Sequence, residues 1–344
     1  MADGIYILAN DVVADQLIAL VNSIRANAGE IPICILPYDN NIDEVRSLLK
    51  TWNGVTLFED IQCIQKWEDF SIQIWQSHPT LREAWTTEAG FVVNRLGMHR
   101  RFCGFEGPFE RFIYLDADTL VLDSLEPIFQ SLADHDFVVY DFQHKDLTHV
   151  FQHDSPKLRE VFSPERLENE IFCAGMFASK RGVFSDAQLE DLLERLCQGE
   201  AALLYGNAPD QSILNYMVMR SHIPSLNLAL HWSGDRRTGN SVTSSHFEER
   251  DRQVYDHGKP LMYLHYIGLP STIFRQVSAG SNVTFPYRDT FLLYRFLHAP
   301  EQQPQYRYRS KPYDAPPRLT TKLMRKLRQV LDFLATKSFR HRQL

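Results

Sequence analysis

The feature that most constrains this chain is the alternation, through its N-terminal third, of short β-rich apolar runs with helix-spaced ones. Ile5-Tyr6-Ile7-Leu8-Ala9 reads as a buried strand, and Leu17, Leu20, Val21 and Ile24 follow at helical spacing. Ile33-Cys34-Ile35-Leu36 is a second strand, Val45, Leu48 and Leu49 mark a second helix, and Val55-Thr56-Leu57-Phe58 is a third strand. Strands alternating with helices build βαβ units and a mainly parallel sheet, which excludes all-α and all-β architectures. At 344 residues with 44% hydrophobic residues, the chain is long enough for one large α/β domain with additions.

The pattern continues past residue 60. Residues 61–76 read as a helix, and a further helix is expected from an N-cap at Thr87 through Phe91, Val92 and Leu96 to about Phe102. Phe112-Ile113-Tyr114-Leu115 is a buried strand ending at Asp116-Ala117-Asp118. Later strands are expected at Phe137–Tyr140, Ile171–Ala178, Leu226–Leu230 and Leu261–His265, with helices at Leu189–Cys197 and Gln211–Arg220. Residues 231–259 are polar and read as a loop or lid, and Tyr306–Pro317 as a linker to a final helix.

Charge and cysteine usage narrow the class. The net charge of −7 conceals a basic tail: residues 318–344 carry eight Lys or Arg against Asp332 alone, leaving −14 on the rest. An acidic body repels polyanions, so nucleic acid is not an expected partner. In the tail, Leu323, Leu327, Val330, Leu331 and Leu334 follow helical spacing between the basic residues. Such a helix suits an anionic membrane surface, and equally the acidic body or a second subunit. The five cysteines are scattered, which fits reduced thiols; with no signal-peptide pattern, a cytoplasmic location is expected, peripheral at the membrane face if the tail binds lipid.

The chemistry concentrates at Asp116-Ala117-Asp118. Carboxylates two apart beyond a strand converge on one hard divalent cation, and the carboxyl end of a central strand is where open α/β sheets bind ligands. Taken alone, the motif also describes a solvated strand end. Four further blocks follow the same order as in a known family: Ala9-Asn10-Asp11 with its helix and Arg95; Phe172-Cys173-Ala174-Gly175; Asp210-Gln211-Ser212-Ile213-Leu214-Asn215; and His265-Tyr266-Ile267-Gly268-Leu269-Pro270. Over about residues 4–275 the chain resembles the family 8 retaining glycosyltransferases, the glycogenin and lipopolysaccharide-galactosyltransferase group.

That resemblance implies a GT-A fold: an α/β, Rossmann-like, mainly parallel sheet flanked by helices. It would fill residues 1–300, with a nucleotide-binding half over 1–120 and a sugar and acceptor half over 121–300; residues 301–344 would be the linker and basic amphipathic helix. It implies transfer of a hexose from a nucleoside-diphosphate sugar, UDP by resemblance, to a glycan, lipid-linked saccharide or small-molecule acceptor, with retention. Mn²⁺ or Mg²⁺ would be held by Asp116, Asp118 and His265, the imidazole favouring Mn²⁺. Asn10 would meet the base, Ala9 and Asp11 would line its pocket, and Arg95 would pair with diphosphate. Cys173, Ala174 and Gly268 would complete the donor site. Asp210, also a possible helix N-cap, would accept from sugar hydroxyls, with Gln211 near the anomeric carbon.

Three departures accompany these matches: Cys173 stands where the family has Asn, Ser212 where it has Asp, and the Lys of the last motif is missing because Pro270 directly follows Leu269. Lys259, Arg275, Arg236 and Arg237 are the cations that could replace it. Two rival readings are a non-catalytic nucleotide-sugar-binding relative and a haloacid-dehalogenase-type phosphatase, whose nucleophile loop also begins Asp-x-Asp.

Overall fold

The computed structural model of the protein describes residues 3–315. Eight strands carry the architecture up to residue 227: β1 (Asp3–Ala9), β2 (Ile33–Pro37), β3 (Val55–Leu57), β4 (Arg111–Asp116), β5 (Thr119–Val121), β6 (Phe137–Val139), β7 (Met176–Lys180) and β8 (Ser225–Asn227). All but β5 form one seven-stranded sheet in the order β8-β6-β7-β4-β1-β2-β3. β1 lies parallel between β2 and β4, and β7 runs antiparallel to both β4 and β6, so the sheet is mixed and mainly parallel.

The period of two along β1 sorts its side chains between two cores. Ile5, Ile7 and Ala9 pack with Leu17, Leu20 and Ile24 of α1 (Ala14–Asn27). Tyr6 and Leu8 face the other way, toward Trp67, Phe70 and Ile74 of α3 (Ile61–Ser77), while α2 (Asp43–Leu49) connects β2 to β3. With both faces covered, the strand is apolar at every position from Ile5 to Ala9 rather than alternating. Asp60 starts α3 by accepting the amides of Gln62 and Cys63, and a reciprocal Ser185–Gln188 capping box starts α4 (Asp186–Cys197). Helix α5 (Pro209–Arg220) is buried on nearly all sides.

The chain then builds a three-stranded antiparallel sheet from β9 (Glu248–Arg250), β10 (Gln253–Asp256) and β11 (Lys259–Pro260). β12 (Tyr263–His265) returns to pair with β5, opposing His265 to Thr119. A third core, built by Tyr266, Phe274 of α6 (Ser271–Ser278) and Phe291 of α7 (Arg288–Arg295), holds this return in place.

Several local expectations change. Thr87 caps no helix: Thr86–Thr87 pair with Gly90–Phe91 as a hairpin, Gly90 has φ +112, and a 3₁₀ helix begins only at Leu96. The apolar spacing there was compatible with a helix, but the backbone turns twice first. Residues 171–175 precede β7 without being strand, and residues 228–231 form a helical turn after β8. The polar 231–259 stretch contains β9 and β10. Within the expected linker, Lys311–Pro312 pair with Val283–Thr284. The basic C-terminal helix lies outside the described residues.

Candidate functional site

The site forms where β1 and β4 end side by side. Leu8 opposes Asp116 across the pair, and beyond these ends lies an open cleft of about 750 Å³, within the range of small-molecule sites. Ala9, Asn10, Arg95 and Gly268 line it, as do Asp116 and Asp118. Asn10 caps the turn that leads into α1 by accepting Val12 N–H at 3.1 Å, and its amide donates to Asp39 at 2.9 Å. Asp11 is turned elsewhere: its carboxylate accepts the Val45 amide at 3.0 Å. Arg95 precedes the 3₁₀ helix with φ +54, rather than lying on a helix as expected, and still lines the cleft. Gly268, at φ +79, supplies the left-handed turn at the opposite wall.

Asp116, Asp118 and His265 converge, with one ligand atom from each lying within 4.8 Å of the others. The pairing of β12 with β5 makes this possible, since Tyr266 N–H donates to Asp118 O at 2.9 Å and His265 N–H to Asn240 O at 2.7 Å. His265 Nε2 stands 3.2 Å from Asp118 Oδ1. Burial opposes charge on both, but their mutual attraction outweighs it, raising His265 well above the usual imidazole range and lowering Asp118. Asp116 is raised, chiefly by burial and further by Asp118, against the pull of Arg101. Two carboxylates and an imidazole at one point are a donor set that suits a divalent cation, which takes the place of the imidazole proton on binding.

The backbone behind the cluster fits it closely. Gly175 O accepts Asp116 N–H at 2.9 Å. A methyl group on Gly175 would fall 2.3 Å from His265 Cε1 and 3.2 Å from Asp116 Oδ2.

Arg101, which the sequence reading did not single out, organises the carboxylates. Almost wholly buried, it reaches Asp116 Oδ1 at 3.2 Å, Asp210 Oδ2 at 2.9 Å and Ala174 O at 2.7 Å, and it lies 4.7 Å over the Tyr114 ring. Tyr114 OH donates to Asp116 Oδ1 at 2.6 Å. Nothing in the run His99-Arg100-Arg101-Phe102 separates a buried arginine from a surface one, so sequence carried no signal for it.

Asp210 does not cap its helix; the N-cap is Ala208, and Asp210 spends its carboxylate on Arg101. One residue on, Gln211 Oε1 accepts Ala174 N–H and its Nε2 donates to His149 O, both at 2.8 Å. Asn215 brackets Phe172 through its N–H and its carbonyl, each at 2.9 Å. The two predicted motifs of residues 172–175 and 210–215 are thus one interlocked unit. Cys173 lines an adjoining recess of about 200 Å³ with His265 and Asp141. Asp141, accepting amides from Cys173 and Gln143, is pushed by burial up to about 7. Of the cations considered for the missing lysine, Lys259 donates to Gly234 O and Arg237 to Ala229 O, Arg236 stacks on Trp232, and Arg275 donates to Asp11 O beside Asn10.

A mixed α/β sheet whose central strands end in an Asp-x-Asp corner beside an open cleft is the arrangement of GT-A enzymes. The family model described as Glycosyl transferase family 8 matches residues 5–271, and the chain belongs to that family. It is a nucleotide-sugar glycosyltransferase; the phosphatase and non-catalytic readings fall away. Among solved structures, the bifunctional glycosyltransferase WbbM in its apo form is 16% identical, with a TM-score of 0.50 over 86% of this chain and 49% of that one. Mouse xyloside xylosyltransferase 1 gives 12% identity and 0.48 over 67% and 86% of the two chains. Galactosyltransferase LgtC, in complex with donor and acceptor sugar analogs, gives 17% and 0.46 over 80% and 94%. No curated protein matches the chain. Among the described residues, no helix is long and apolar enough to cross a membrane.

Proposed function

We propose that the protein moves a hexose from a UDP-sugar to a hydroxyl acceptor, with retention of anomeric configuration and dependence on Mn²⁺ or Mg²⁺. The observation that carries this reading is the convergence of Asp116 and Asp118, which line the cleft bounded by Asn10, Arg95 and Gly268, with His265 of the adjoining recess.

Asp116, Asp118 and His265 would hold the cation, which supplies positive charge to a departing diphosphate. Arg95 adds a permanent, bidentate-capable charge from the cleft wall. Asn10, its amide fixed by Asp39, presents the first turn to the nucleotide base, and Ala9 leaves room beneath it. Gly268 completes the opposite wall, and Cys173 and Ala174 form the backbone against which the donor sugar rests. Asp210 accepts from sugar hydroxyls while Arg101 fixes its orientation.

Gln211 is better suited to hold the site's shape than to act as a nucleophile, because both ends of its amide are engaged by backbone groups. With no carboxylate nucleophile in that place, the acceptor hydroxyl attacks on the face that the diphosphate leaves, and a leaving phosphate oxygen takes its proton. Catalysis then rests on preorganised charge.

The test is a thermal-shift screen of nucleoside diphosphates with and without Mn²⁺, repeated on Asp118→Ala. The expected result is a rise in Tm of several degrees with UDP that needs the metal and vanishes in the variant. No stabilisation by any nucleoside diphosphate, or an equal one in Asp118→Ala, overturns the reading. The anomer formed from an accepted UDP-sugar, read by NMR, tests retention.

A further inference from the structure

A second convergence of metal-ligating side chains lies away from the cleft, on the small antiparallel sheet. His246 lies two residues before β9, Asp256 ends β10, and His257 opens the tight turn into β11, with φ +48 followed by Gly258 at φ +82. Two successive positive φ values are those of a hairpin turn whose twist matches its strands. That turn sets the His257 ring against the His246 ring at 5.3 Å, nearly parallel. One ligand atom from each of His246, Asp256 and His257 lies within 4.8 Å of the others.

The distances are those of a coordination sphere. Asp256 Oδ1 stands 3.2 Å from His246 Nε2 and 3.6 Å from His257 Nε2. Ligands about 2.0–2.1 Å from one tetrahedral ion lie about 3.3–3.4 Å apart. Asp256 Oδ1 is also buried without a hydrogen-bond partner, and its polar neighbours are those two imidazole nitrogens. A buried carboxylate oxygen without a donor is costly unless a cation meets it.

We infer that His246, Asp256 and His257 form a second cation site, for a zinc-class ion, distinct from the Asp116–Asp118–His265 cluster. Two imidazoles and one carboxylate select a borderline ion such as Zn²⁺ over the oxygen-seeking Mg²⁺, and the exposed His257 side leaves a fourth position for water. The site braces the catalytic side of the molecule. Asp256 Oδ2 accepts Gly239 N–H at 2.7 Å, and the next residue, Asn240, supplies the carbonyl that holds His265 N–H. An ion here fixes β10 to the segment that seats His265, without touching substrate. The inference is independent of donor identity and of the transfer reaction.

The experiment titrates chelator-stripped full-length protein with Zn²⁺ by calorimetry, in an Asp118→Ala background that impairs the cleft cluster. Co²⁺ absorption reports the geometry. The Asp118→Ala protein is expected to bind one equivalent of Zn²⁺, gain a few degrees in Tm and give the intense visible bands of tetrahedral Co²⁺. Adding His246→Gln and His257→Gln is expected to weaken binding at least ten-fold and abolish the bands. Those side chains are 50% and 81% exposed, so the fold tolerates the changes, and circular dichroism verifies it. His257→Gln alone, at the most exposed ligand, serves as the second variant and is expected to weaken Zn²⁺ binding in the same direction. Equal Zn²⁺ affinity with and without the histidines, or no Zn²⁺ bound by Asp118→Ala, overturns the inference. Because the readout is Zn²⁺ stoichiometry, its failure leaves the UDP and Mn²⁺ result standing, and the reverse holds.

Discussion

Arg101 Nε stands 2.9 Å from Asp210 Oδ2, and this buried ion pair joins the first turn of α5 to the end of β4, because the same guanidinium reaches Asp116 Oδ1. Removing one partner of a buried pair leaves an uncompensated charge, at a cost of about 3–5 kcal/mol. Arg101→Met should lower stability by that order in urea denaturation and abolish transfer. Arg101→Lys restores the charge but not the three-way fork to Asp116, Asp210 and Ala174 O. It should recover most of the stability while activity stays at least ten-fold down. Full stability in Arg101→Met would show that the two carboxylates do not need this cation.

Gly175 marks how little room the cluster has. Its backbone has no left-handed requirement, so Gly175→Ala is a test of space alone: the added methyl displaces His265 and presses on Asp116. Disturbing a group that orients metal ligands typically costs ten- to a hundred-fold in affinity or activity. Mn²⁺ activation curves for Gly175→Ala should shift to higher metal by that factor, with Tm lowered by a few degrees because the crowded methyl forces buried groups apart. An unaltered Mn²⁺ requirement would mean that His265 has no part in holding the ion.

The frame of the protein was legible because its strands are buried on both faces. Ile5–Ala9, Ile33–Leu36 and Phe112–Leu115 are unbroken apolar runs, and each lies within or along a strand of the central sheet. Asp116 and Asp118 were legible because acidic residues just past such a run are conspicuous. His265 and Asp210 were not legible from the residues alone, and only the order of the family's motifs suggested them. The structure brings them to Asp116 through the pairing of β12 with β5 and through Arg101. Local sequence misled at Thr87, where Gly90 turns the chain, and over residues 248–256, where both faces of short strands are largely polar. Arg101 escaped because the burial of a charge depends on partners distant in sequence.

Gln211 offers a test of the interlock between α5 and residues 172–175. Gln211→Ala leaves Ala174 N–H and His149 O without side-chain partners, at a cost of about 1–3 kcal/mol for each buried group left unsatisfied. Stability should fall accordingly, and kcat should fall more than UDP affinity, since the nucleotide-facing wall at Asn10 and Arg95 is untouched. UDP binding measured by calorimetry alongside steady-state kinetics separates the two. A loss confined to UDP affinity would place Gln211 in nucleotide recognition instead.

His99 should make stability sensitive to acid. Its Nε2 accepts Trp75 Nε1–H at 3.2 Å while Nδ1 donates to Leu96 O at 3.0 Å, so the neutral ring is fully used and a second ring proton would face a donor. Burial pushes His99 down to about 4 from the usual 6.5. A group depressed on folding binds fewer protons in the native state, so its contribution is complete above about pH 6.5 and is lost as pH falls toward 4. His99→Gln cannot titrate there. The stability gap between wild type and His99→Gln, from urea midpoints, should be widest near pH 7 and close progressively between pH 6.5 and 4. A gap that stays constant over that interval would mean that His99 carries its proton equally well in the folded and unfolded chains.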